Sequence, residues 1–163
     1  MNYFIYAYLI GVVALTFLPL VRGGAPLTPP ALFGLVGLVL WFLLIRDPIA
    51  ATDGYNYSQL YLAIVNFEDI FQTYHGNYLF SFVQWCISLT GVSASDSVIV
   101  VSIIIWAITV AGFCLITWGR PRWLLLSLGL FSLTSTFILL YFNALRQGLA
   151  LAVLFVAIGL FVR

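Results

Sequence analysis

Apolar residues run along this chain in long uninterrupted stretches rather than alternating with polar ones. A helix rises about 1.5 Å per residue, so crossing roughly 30 Å of hydrocarbon takes about 20 apolar residues, all with their amides bonded within the segment. The pattern therefore predicts helices and no strands. The first run is Tyr3 to Val21. The second starts near Pro30, a residue suited to a first helical turn, and reaches Ile45, where Arg46 and Asp47 end it. A third, Tyr78 to Leu89, has only twelve residues and includes Ser81, Gln84 and Ser88. Val98 to Trp118 is full-length and is entered through Ser95-Asp96-Ser97, side chains able to cap its first turn. Trp123 to Phe142 is a further span, bracketed with its predecessor by Trp118 and Trp123 in the manner of an aromatic belt. After Asn143-Ala144-Leu145-Arg146-Gln147 the chain is apolar again from Gly148 to Val162. The expected fold is all-α: a polytopic transmembrane helical bundle of about five to six membrane segments, forming one domain over residues 1–163.

Residues 46–76 break the pattern. They hold four of the five carboxylates, the single histidine His75, and Tyr55, Tyr57, Tyr61 and Tyr74. Within this polar loop, Leu60, Ile64, Phe67 and Phe71 recur at helical spacing, which predicts a helix over Tyr57 to Phe71 lying in the membrane interface.

Composition sharpens the class. Of 163 residues, 64% are hydrophobic and 7% charged, where soluble domains carry about a quarter charged residues. A soluble enzyme and a nucleic-acid-binding domain are both excluded, the latter also by a net charge of only +1. The first run has no preceding Lys or Arg and is longer than a signal-peptide core, so it reads as a retained helix. Cys86 and Cys114 sit inside apolar runs without metal-ligand spacing, and one histidine cannot build a two-histidine site, so neither a metal nor another cofactor is expected.

Two polar clusters carry candidate chemistry: Thr52-Asp53-Gly54-Tyr55-Asn56-Tyr57, and Asn143-Ala144-Leu145-Arg146-Gln147-Gly148-Leu149-Ala150. An arginine at membrane depth costs about 2.5 to 3.5 kcal/mol on insertion scales unless something compensates it. Arg146 either snorkels to the interface or grips a phosphate or carboxylate with its planar fork. Asn143 lies three residues before it, on the same face if both are helical. Asp53 either makes a turn through its own backbone or accepts a proton from a sugar hydroxyl as a general base. Tyr55 and Tyr57 either anchor the chain at headgroup level or stack on sugar rings.

With these residues in place, the chain resembles the EpsG family of bacterial polysaccharide polymerases, related in role to the Wzy polymerases. The resemblance spans roughly Arg46 to Ala150 and rests on the Thr-Asp followed by Tyr and on Asn143, Arg146, Gln147 and Ala150 of an Asn-x-x-Arg-Gln-x-x-Ala pattern. His75-Gly76-Asn77 stands where the family has an acidic residue before the third apolar run, and Glu68 lies several residues earlier. The resemblance implies glycosyl transfer outside the cytoplasmic (inner) membrane, with a polyprenyl-diphosphate-linked oligosaccharide as substrate and other polysaccharide export proteins as possible neighbours. On that basis Asp53 and Arg146 are the expected catalytic residues, and Arg46, Tyr55, Tyr57, Asn143 and Gln147 the substrate-binding ones. It also implies a protein about twice as long, and the stop at Arg163 inside an apolar run fits a truncated N-terminal part. A lipid-linked sugar transporter and a non-catalytic subunit of an envelope assembly complex are the competing classes.

Topology links the two clusters. If every apolar run crosses, Asp53 and Arg146 fall on opposite faces of the membrane. If Tyr78 to Leu89 dips in and returns, both open outward, while Arg22, Arg120 and Arg122 face the cytoplasm and Arg46 alone departs from the positive-inside tendency. The short third run favours the second arrangement.

Overall fold

The computed structural model describes residues 2–21, 27–45, 52–73, 78–134, 137 and 144–162. Among these residues every regular element is a helix: α1 (Asn2–Val21), α2 (Thr28–Ile45), α3 (Thr52–Ala63), α4 (Asp69–Thr73), α5 (Tyr78–Ser88), α6 (Ala94–Ile116), α7 (Pro121–Leu133) and α8 (Leu145–Phe161). Three of them, α1, α2 and α6, are long and apolar enough to cross a membrane. Their outward faces carry exposed large side chains such as Ile10, Phe33 and Trp41, the surface of a helical membrane protein whose solvent is lipid. α5, α7 and α8 are apolar but shorter, at 11, 13 and 17 residues.

Side-chain contacts fix the direction of each helix. A Cβ added to Gly11 would meet Leu38 and one added to Gly34 would meet Leu15, so α1 and α2 are antiparallel. Gly129 lies against Thr16, and the Tyr8 hydroxyl donates to the Ser132 carbonyl at 3.3 Å, which makes α7 antiparallel to α1. Phe113 meets Phe131 and Trp106 meets Phe137, so α6 is antiparallel to α7. Gly112 faces Phe155 and Gly159 faces Leu115, so α8 runs parallel to α6. One end of the bundle therefore gathers the starts of α2 and α7 with the finishes of α1, α6 and α8. The opposite end gathers the finishes of α2 and α7 with the starts of α1, α6 and α8. Between them lies a core built on Tyr8, Leu35, Leu43, Ile105, Trp106, Leu125 and Leu128, with Tyr8 stacked on Phe42 at 4.2 Å.

Three boundaries differ from the sequence expectation. The helix expected over Tyr57 to Phe71 is α3 from Thr52 to Ala63, a break, and the short α4. The break is closed by Asp69, whose carboxylate accepts from the Val65 and Asn66 amides at 3.0 and 2.7 Å, a reciprocal cap for the turn that follows. The cap of α6 is Ser93 and not the Ser95-Asp96-Ser97 cluster: its hydroxyl accepts the Asp96 amide and donates to the Asp96 carboxylate at 2.6 Å. Of the span expected from Trp123 to Phe142, the described part is α7, which ends at Leu133; residues 138–142 lie outside the described residues. Thr134 is extended there (φ −76°, ψ 146°), and its hydroxyl donates to the Phe131 carbonyl and accepts the Phe137 amide, so it ends one helical segment and caps the next turn.

Candidate functional site

α3 carries three tyrosines, Tyr55, Tyr57 and Tyr61, alongside Leu60 and Leu62. Tyr57 and Tyr61, one turn apart, both turn inward: the Tyr61 hydroxyl donates to the Val92 carbonyl at 2.6 Å and the Tyr57 ring packs on Phe80 of α5 at 5.2 Å. Those two contacts pin α3 to the start of α6 and to α5, at the end of the bundle where α2 finishes. Ser58 returns a hydrogen bond to the Tyr55 carbonyl, and Tyr55 itself is exposed.

Arg146 occupies the first turn of α8, just after Ala144, whose backbone (φ −114°, ψ 55°) is not helical and whose side chain supplies no cap. Because α8 packs parallel to α6 along its length, the first turn of α8, with Arg146, lies toward the start of α6. Its guanidinium carbon lies 5.8 Å from the centre of the Tyr57 ring, over the face of a side chain only 4% exposed. A cation over a tyrosine face at this distance is worth about 0.5 to 2 kcal/mol, more as water is excluded. A positive charge in the first turn of a helix also opposes the helix dipole, so first-turn amides and guanidinium add to one region of positive potential.

The two sequence clusters thus meet through Tyr57 and Arg146. Asp53 lies one turn before Tyr57 in the first turn of α3, in a helix and not in the loop expected of it; its side chain is outside the described residues. Gln147 is exposed on α8. Arg46 and Asn143 fall outside the described residues, as do Arg22, Tyr74 and His75. The expectation that Asn143 and Arg146 share a helix face therefore lies outside the described residues.

A further polar pair lies next to this contact. Gln84 and Ser81, three apart on α5, are fully buried, and among the described residues neither the Gln84 amide nor the Ser81 hydroxyl has a hydrogen-bond partner. Ser81 adjoins Phe80, which touches Tyr57. Their spacing in an otherwise apolar short run was the available signal. Among the described residues no three His, Cys, Asp or Glu side chains gather as metal ligands would. No family model, no curated protein and no solved structure matches the chain.

Proposed function

We propose that this chain belongs to a membrane glycosyl-transfer system that joins lipid-diphosphate-linked oligosaccharides into polysaccharide at the outer side of the cytoplasmic membrane. The observation that carries the reading is the Arg146 guanidinium held over Tyr57, which unites the two polar clusters at one end of the bundle. The resemblance of those clusters to the EpsG family supplies the reaction class. In this multi-pass arrangement of five to six membrane segments, α5 does not cross.

The chemistry assigns roles accordingly. The acceptor hydroxyl oxygen forms a bond to the anomeric carbon, and the bond from that carbon to the diphosphate oxygen breaks, its electron pair leaving with the diphosphate. Asp53 takes the hydroxyl proton. Arg146 stabilises the charge that develops on the leaving diphosphate, the position where fixed positive charge accelerates such a step most. Tyr57 holds the guanidinium by its face, and Arg46, Tyr55, Asn143 and Gln147 bind sugar and phosphate around it. Replacing Arg146→Ala abolishes polymer while the protein remains in the membrane at its usual level; a polymer ladder of unchanged length on a gel would overturn the assignment.

A further inference from the structure

The opposite end of the bundle carries a second constellation. After Ile116, α6 ends in two consecutive left-handed residues, Trp118 (φ 56°) and Gly119 (φ 65°), and the Gly119 amide closes back on the Cys114 carbonyl at 3.0 Å. Glycine adopts this conformation freely, whereas a bulky side chain there costs about 1 to 3 kcal/mol. The strained backbone turns the Trp118 indole outward beside Trp123, in the first turn of α7, and both are more than half exposed. Between them opens a cavity of about 460 Å³ lined by Ile116, Thr117, Trp118, Arg120, Trp123 and Ser127. That volume lies within the roughly 300 to 1,000 Å³ of small-molecule sites.

Charge selects the occupant. Arg120 and Arg122 are both exposed at this turn. The described carboxylates are elsewhere: Asp96 is in the first turn of α6, and Glu68 and Asp69 lie between α3 and α5, all toward the other end. The turn follows a 23-residue span, at the level where hydrocarbon gives way to headgroups. We infer that this groove binds the headgroup of an anionic phospholipid from the surrounding leaflet. Arg120 meets the phosphate, Ser127 hydrogen-bonds the polar headgroup, and the two indoles span the boundary between glycerol and acyl chain, with Ile116 against the chain. Arg122, outside the groove, adds attraction without contact. Interfacial indoles alone would anchor the helix end to any lipid, whereas the arginines discriminate by charge, each contributing about 1 kcal/mol or about fivefold.

The test uses the full chain with Trp41, Trp85 and Trp106 replaced by phenylalanine, leaving the two groove indoles as fluorophores. It is reconstituted in dioleoylphosphatidylcholine vesicles doped with dibrominated phosphatidylglycerol or dibrominated phosphatidylcholine. Brominated phosphatidylglycerol is expected to quench with an association constant at least about fivefold higher, and Arg120→Gln to lower that preference by about fivefold. Equal quenching by the two lipids, or an undiminished preference in the Arg120→Gln, Arg122→Gln double variant, overturns the inference. The unaltered protein, taken from mixed vesicles into native mass spectrometry, gives a second reading should the triple variant misfold. Retention of phosphatidylglycerol that is lost in Arg120→Gln supports the site, and equal retention of both lipids refutes it.

Discussion

Arg146 sits where helix electrostatics disfavours it, in the first turn of α8, and it rests on the buried Tyr57 ring. The need for compensation was legible from a charge in an apolar stretch; its partner was not, because Tyr57 is 89 positions away and no local pattern links them. Gln84 poses the converse case. Each buried polar group without a partner costs about 1 to 3 kcal/mol, and leucine fills a similar volume with no polar atom. Gln84→Leu is therefore expected to stabilise the protein by about that amount, read as a higher thermal midpoint in detergent. A lower midpoint would mean that the amide is bonded after all.

Among the described elements, α6 and α8 share the most extensive contact, and glycine permits it. A Cβ on Gly112 would lie 2.7 Å from the Phe155 Cβ and 3.0 Å from backbone atoms of α8, neither able to swing aside. Gly112→Ala should force the helices apart and cost about 1 to 3 kcal/mol, whereas Gly37→Ala, with nothing within 4 Å, should be neutral or slightly stabilising. Equal unfolding midpoints for the two variants would contradict that packing. The long helices α1, α2 and α6 were readable because continuous apolar runs leave a chain in lipid no alternative. The end of α7 was not readable because Thr134, one hydroxyl among apolar neighbours, satisfies both the carbonyl before it and the amide after it, which hydropathy does not register. α3 starts five residues earlier than its apolar spacing implies because its first residues, Thr52-Asp53-Gly54-Tyr55-Asn56, resemble a loop in composition.

For the whole molecule, the decisive fact is that α2 finishes and α6 starts at the same end, so the intervening α3, α4 and α5 leave and return on one face. The shortness of the third apolar run had already favoured that route, while the helix directions required coordinates. Single cysteines placed at Ser93 and Tyr55, in a background with Cys86 and Cys114 replaced by serine, should react with an impermeant maleimide from one face of sealed vesicles. A cysteine at Arg122 should react only from the other. Reaction of the Ser93 and Arg122 positions from the same side would break the bundle description given above.

Asp96, Glu68 and Asp69 at one end and Arg120 and Arg122 at the other also give the molecule a polarity along the membrane normal. Any voltage across the surrounding membrane acts on that polarity with about 2.3 kcal/mol per full charge transferred for each 100 mV. Such a voltage would work as an orienting force, favouring the insertion that puts the arginine pole on the negative side and resisting inversion.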